Sequence, residues 1–484
     1  MQTALHLKTS GKEALDLIIR KGTVVTASDT FSADIGIEDG RIRAIADVIE
    51  GSGKTPTIDA SGLLVMPGGV DVHTHLDTPG LLADTEDDFF SGTVAAAHGG
   101  TTSIINFCPQ IKGRGLLESL TVHRNRADSK AVIDFALHSI VSDPSPRALE
   151  ELAALPNHGV TSFKVFMAYK GDTMVDDGML IRVLHEAREN GALVMVHAEN
   201  GEAVEYLRNS FAAEGKLTPL YHVLSRPPRV EAEATARAIA LAELTKASIY
   251  IVHVSCAEAL EEVVRGRSRG VDVHAETCSH YLSITDKVFE APGFESGKYV
   301  FTPPPRNADQ PQIIWDGLSR GHLEVVSSDH APYNFRGGKD VGKEDFRLIP
   351  NGAPGVEERM TLVWQGVVAG RFSPNRFVDL TATTPAKIFG LYPSKGTVAV
   401  GSDADIVLWN PTVKRTFTHS QLHSAVDYTV YEGMEVVGAP ETVISRGDII
   451  VRRGKFNGAA GRGRYIHRRR RPEVSKVNLE IQGE

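Results

Sequence analysis

Cysteine is scarce. Only Cys108, Cys256 and Cys278 occur in 484 residues, which excludes a disulfide framework and a cysteine-built zinc site. A surplus of positive charge is missing too, and the formal net charge of −9 argues against a general nucleic-acid binder. No stretch approaches the roughly 18 uninterrupted apolar residues of a membrane span. The opening MQTALHLKTSGKEALDLII has no positive segment followed by a continuous apolar one, so no secretory leader is read. A reducing, cytoplasmic location is the expectation. The hydrophobic content of 42% is that of an ordinary globular chain, long enough for a large barrel with an accessory domain.

What the chain has is alternation. Eight apolar runs read as strands: GVDVHTH, TTSIINF, VIDFALHSI, TSFKVFM, ALVMVHAE, SIYIVHVS, VDVHAET and LEVVSSDH. Helical stretches such as DFFSGTVAAAHGG and EAEATARAIALAELTKA lie between most of them. Buried strands separated by helices mean a parallel sheet, and eight such units predict an α/β fold with a (β/α)8 TIM barrel. Short strands fill the region from Leu15 to Val65, with an Asp39-Gly40 hairpin signal. The same texture returns in KGTVAVGSDADIVLWNP and VISRGDIIVRRGKF. The two ends are therefore expected to build one small β-sandwich around the barrel. The predicted division is 1–66 and 395–458 for the sandwich, 67–394 for the barrel and 459–484 for a tail. The Arg468–Arg471 run reads as a solvated or subunit-bridging tail.

Polar residues fall at the strand ends, where a barrel carries its active site. In PGGVDVHTHLD, His73 and His75 are two apart, so on a strand both point to one face. That is half of a transition-metal site. Strand four carries Lys164 among apolar residues, strand five ends in His197, strand six in His253 and strand eight in Asp329. Six such groups at one barrel mouth form the inventory of a metal centre.

These residues carry a resemblance. The chain resembles the cyclic amidohydrolases, in particular the dihydropyrimidinase/hydantoinase family. The motifs are PGGVDVHTHLD, SFKVFMAY, VHAENG, HVLSRPPRVEAEAT, ETCSHYL, SSDHAPY, PNGAPGVEERM and KGTVAVGSDADIVLW, spread over almost the whole length. The resemblance implies two divalent metal ions, zinc by preference, with manganese or cobalt able to use the same ligands. His73, His75 and Asp329 would hold one and His197 and His253 the other, with an N6-carboxylated Lys164 and a hydroxide bridging them. It further implies that Asp329 shuttles the proton, that Tyr169 hydrogen-bonds the developing oxyanion, and that Thr302 and Asn351 bind the ring largely through main-chain groups. A homotetramer acting on a small cyclic amide, opened to an N-carbamoyl amino acid, is the implied whole.

Two features depart from the family pattern: Thr302 replaces the commoner serine, and the mouth loop Thr78–Glu86, TPGLLADTE, differs from the more usual loop rich in Met, Phe and Gly. Asp77 stands where dihydroorotases place an arginine, and with Asp84 and Glu86 it is expected to repel a carboxylate, while Leu81 and Leu82 accept an apolar substituent. Allantoinase remains a neighbouring alternative. A non-catalytic scaffold like the collapsin response mediator proteins is disfavoured because all six ligand positions are filled.

Overall fold

A computed structural model describes residues 15–143 and 145–471. The first part of the segment read for a leader and the tail beyond Arg471 lie outside the described residues. No described helix is long and apolar enough to cross a membrane.

The chain begins in the small domain. Strands β1 (Leu17–Val25), β2 (Thr30–Glu38), β3 (Arg41–Ala46), β4 (Thr57–Asp59) and β5 (Leu64–Pro67) come first. Asp39 and Gly40 both take positive φ, 51° and 72°, the geometry of a type I′ turn, and they join β2 to β3 as predicted. Gly22 is required by close approach, because a Cβ there would lie 2.2 Å from Val65 Cγ2.

The eight predicted barrel strands follow in order: β6 (Gly69–Thr74), β7 (Thr101–Cys108), β8 (Asp134–Ile140), β9 (Ser162–Phe166), β10 (Leu193–His197), β11 (Ile249–Ile251), β12 (Val273–Cys278) and β13 (Val325–Ser327). Among the described residues they form one parallel sheet in sequence order. The ring is nearly closed. β13 is three residues long and forms no ladder with β6, so side chains complete the seam. Asp71 accepts the Ser328 N–H at 3.2 Å, and Arg359 donates to the Val326 carbonyl at 3.0 Å. The Arg359 guanidinium also lies 3.5 Å from Asp71, and both side chains are fully buried.

The chain then returns to the small domain through β14 (Ile406–Thr416), β15 (Glu435–Ser445), β16 (Asp448–Arg452) and β17 (Lys455–Phe456). The two ends share one nine-stranded sheet among the described residues, ordered β17-β16-β15-β14-β5-β1-β2-β3, with β4 on β1. β5 joins the halves, parallel to β1 and antiparallel to β14. Ile35, Ile37 and Ile42 share a buried cluster with Ile406, Leu408 and Ile444. The sheet thus curls back on itself, which gives the sandwich its two layers.

The tail differs from the expectation of a solvated segment. Residues 463–471 run under the barrel, at the strand starts opposite the active-site face. Gly463 N–H donates to Ala131 O at 2.8 Å, Ile466 N–H to Phe135 O at 2.8 Å, and Arg471 N–H to Gly191 O at 3.0 Å. Arg468 is 3% exposed and donates to Ser162 Oγ at 2.8 Å and to Leu137 O at 2.6 Å. Arginine runs are normally solvated, but here the barrel supplies side-chain acceptors for three members, with Arg470 donating to Asn157 Oδ1 at 2.6 Å and Arg471 to Asp272 Oδ2 at 2.9 Å, and buries Arg468 among them. Arg468→Ala is expected to destabilise the protein by about 2–3 kcal/mol, since it strands buried acceptors. Thermal unfolding checks this; an unchanged Tm would return Arg468 to the surface class.

Candidate active site

The six groups converge. His73 lies on β6 and His75 just beyond it, and the strand's two-residue repeat turns both rings to the same side. Their Nε2 atoms lie 3.0 and 3.3 Å from Asp329 Oδ1. The ligand atoms of these three residues all lie within 4.8 Å of one another, a set that could hold a metal ion. His253 closes the circle, its ring centroid 5.5 Å from His73 and 4.6 Å from His197. Lys164 is 1% exposed, with Nζ 4.8 Å from the Phe107 ring and 5.0 Å from the Phe166 ring. All six line one cleft of about 1100 Å³, together with Tyr169, Thr302 and Asn351.

The backbone is bent where the chemistry gathers. Tyr169, His253 and Asp329 all take positive φ, 67°, 39° and 50°, a region that non-glycine residues seldom occupy. Such positions concentrate at functional sites, where surrounding structure holds them.

Protonation follows from burial and charge. Burial pushes His75, His197 and His253 below the usual histidine range, so they present neutral lone pairs. His73 is held up at about 9: burial pushes it down, and the carboxylates of Asp329 and Glu276 more than reverse that. Asp329 stays well below the carboxylate range because the histidine neighbours outweigh its burial. Burial lowers Lys164 to about 8, against the pull of Asp329 and Glu276. Tyr169 is raised to about 12 by burial, with Arg226 opposing, so at neutral pH its hydroxyl keeps its proton.

The donor chemistry fits a pair of divalent cations. His75, His197 and His253 present neutral imidazoles and Asp329 an ionised carboxylate, the forms that ligate metal, while His73 would give up its proton to join them. Lys164 brings a buried amine with a lowered pKa into the same circle, and no ion pair is formed by it among the described residues.

Several supporting residues escaped sequence reasoning. Glu276, fully buried on β12, pairs with His73 Nδ1 and accepts from Tyr250 OH at 2.9 Å. Glu199 lies 2.8 Å from His197 Nε2 and accepts from Arg226 at 2.6 Å. His330 Nε2 lies 3.0 Å from Asp87. Such partners fix ring orientation and tautomer. The readable signal was an acid inside an apolar strand, in ETCSHYL, and one two residues past His197.

One expectation is corrected. Asp77 does not face the cleft. Its carboxylate accepts the Phe89 N–H at 3.0 Å, at the start of the helix Phe89–His98, and lies 3.4 Å from Lys130. Asp84 and Glu86 are likewise absent from the cleft lining, whereas Leu81 and Leu82 belong to it and are 80% and 43% exposed. The mouth loop therefore turns apolar surface to the cleft, with the exposed Asp84 and Glu86 outside its lining. An acid beside a helix start is drawn to free N–H groups, a pull that a motif comparison does not register.

Comparison with known proteins agrees with this architecture. The profile of the amidohydrolase family matches residues 64–450. A D-hydantoinase of Rhizobium radiobacter is 53% identical over 456 residues, which cover 94% of this chain and 99% of the relative. A solved D-hydantoinase structure superposes with a TM-score of 0.93 at 53% identity, covering 94% of this chain and 99% of that one. The dihydropyrimidinase of Brevibacillus agri gives a TM-score of 0.92 at 48% identity, with 94% and 99% coverage. The chain belongs to the amidohydrolase family, as a cyclic amidohydrolase enzyme of the hydantoinase branch.

Proposed function

We propose that the chain hydrolyses a dihydropyrimidine or a 5-substituted hydantoin to an N-carbamoyl amino acid. The observation that carries this is the convergence of His73, His75 and Asp329 with Lys164, His197 and His253 at the base of one cleft. In this reading His73, His75, Lys164, His197, His253 and Asp329 hold two divalent metal ions, zinc by preference, and Lys164 is N6-carboxylated. The neutral amine is the form that adds CO2, releasing a proton, and burial has brought Lys164 to about 8. Bound metal supplies Lewis acidity, which makes water acidic and polarises a carbonyl.

The protein's own groups do the rest. Asp329 takes the proton of the attacking water and returns it to the leaving ring nitrogen. The Tyr169 hydroxyl, protonated at neutral pH, donates to the oxygen on which charge develops. Thr302 and Asn351 present main-chain groups to the ring. Thr302 Oγ1 and Asn351 Oδ1 are buried without a hydrogen-bond partner, so an –NH–CO– edge would satisfy them as well. The apolar mouth at Leu81 and Leu82 suits an uncharged ring substituent. A homotetramer in the cytoplasm, divided at 66/67, 394/395 and 458/459, completes the proposal on the strength of the sequence resemblance.

A hydrolysis panel under identical metal loading tests it, with dihydrouracil, a 5-substituted hydantoin, allantoin and dihydroorotate. The expected result is kcat/KM at least about tenfold higher for dihydrouracil or the hydantoin than for dihydroorotate. Turnover of allantoin alone would keep the reaction class and move the chain to another branch. Elemental analysis of chelator-free protein should find close to two metal ions per chain; a metal-free, fully active enzyme would end the proposal.

A further inference from the structure

Lys339 is a fully buried lysine that the proposed reaction does not use. It sits on the short turn Lys339–Gly342, after β13. Burial drives its pKa well below the lysine range, and no carboxylate offsets this. Burying an amine without a counter-charge is costly, and an apolar side chain of similar size would fill the space without that cost. What the amine does is specific. Its Nζ donates to Val300 O at 2.7 Å and to Pro350 O at 2.8 Å.

Those carbonyls belong to the two strips that line the ring-binding side of the cleft. Val300 is two residues before Thr302, and Pro350 directly precedes Asn351. Val300 O also accepts the Gly352 N–H at 3.1 Å, and Ala331 N–H donates to Ala353 O at 3.1 Å. The second strip is thus tied on one side to Val300 and on the other to Ala331, in the loop after β13 and two residues past Asp329. It has no slack there, since a Cβ on Gly352 would lie 2.4 Å from Ala331 O.

We infer that Lys339 is a positioning residue whose amine, donating to one carbonyl on each side, sets the spacing between the Thr302 and Asn351 strips, and with it the width of the slot for the edge of a planar cyclic amide. The inference rests on the ring-opening reading above. A brace of this kind acts on substrate and transition state alike, so its loss should appear in KM more than in kcat.

The experiment uses the full-length, metal-loaded enzyme with Lys339→Met, which keeps the bulk and removes the donors, and Lys339→Gln, which keeps one amide donor group. For a 5-substituted hydantoin, the Met variant is expected to raise KM about tenfold with kcat changed less than about threefold. The Gln variant should fall between Met and wild type, and metal content should not change. Hydrogen exchange of substrate-free protein should rise in residues 299–304 and 349–353 and stay unchanged in the barrel strands. A KM within about twofold of wild type in both variants would overturn the inference, as would a Gln variant no better than Met or a loss of protection spread over the whole barrel. Should the Met variant fail to fold, the Gln variant decides alone: a raised KM supports the brace and a wild-type KM removes it. If the wild-type enzyme opens no cyclic amide, the functional proposal fails. The exchange measurement still decides the brace, because unchanged protection in both strips overturns it and a local rise supports it.

Discussion

Lys164→Ala is expected to lower kcat/KM by a factor on the order of 10³ or more while the protein remains folded. Lys164 is buried between the Phe107 and Phe166 rings, in contact with no carboxylate that would need it for stability. Its lowered pKa, about 8, points to an amine kept ready for chemistry. Alanine removes the group proposed to join the two metal positions, so metal content should fall together with activity. Short carboxylic acids added from solution should restore part of the rate, because they offer two anionic oxygens to the vacated space. Metal analysis, kinetics and thermal unfolding on one preparation separate the outcomes. Normal metal content with a normal rate would make Lys164 a packing residue and dissolve the proposed bridge.

Tyr169→Phe is expected to lower kcat by about 10²–10³-fold, the usual effect of removing one preorganised oxyanion donor, about 2.7–4 kcal/mol. Phenylalanine retains the ring contact with His197, whose centroid is 5.3 Å away, and the Arg226 guanidinium 5.6 Å over the face. Tm and KM should therefore move little. This separation matters, since a packing role would appear in stability and leave kcat untouched. An unchanged kcat would remove Tyr169 from the chemistry.

Much of this architecture is legible in the chain because its signals are local. Alternating apolar runs and helices mark all eight barrel strands, and a two-residue repeat is enough to turn His73 and His75 together. Asp39-Gly40 announces its own hairpin. What stays hidden depends on contacts between distant residues. Asp71 and Arg359 complete the barrel seam across most of the chain, and neither stands out in its own segment. Asp77 looks like part of the cleft until the Phe89 N–H and Lys130 claim its carboxylate. The Arg468–Arg471 run reads as solvated because arginines usually are, and only the folded floor supplies the acceptors that bury Arg468. Glu276 and Glu199 are buried acids whose purpose emerges only once a histidine is placed against each.

The junction strand β5 has a consequence for how the molecule is made. It pairs with β1, made before it, and with β14, which the ribosome supplies only after the whole barrel. Until then β5 presents an open edge, with Leu64, Val65, Met66 and Pro67 lacking their partners Trp409, Leu408, Val407 and Ile406. Exposed strand edges invite pairing with other chains, and long-range strand pairing forms slowly. The small domain therefore cannot close until all eight barrel strands have been made. Nascent chains stalled within the barrel would be the aggregation-prone species, and β5 the strand through which they associate.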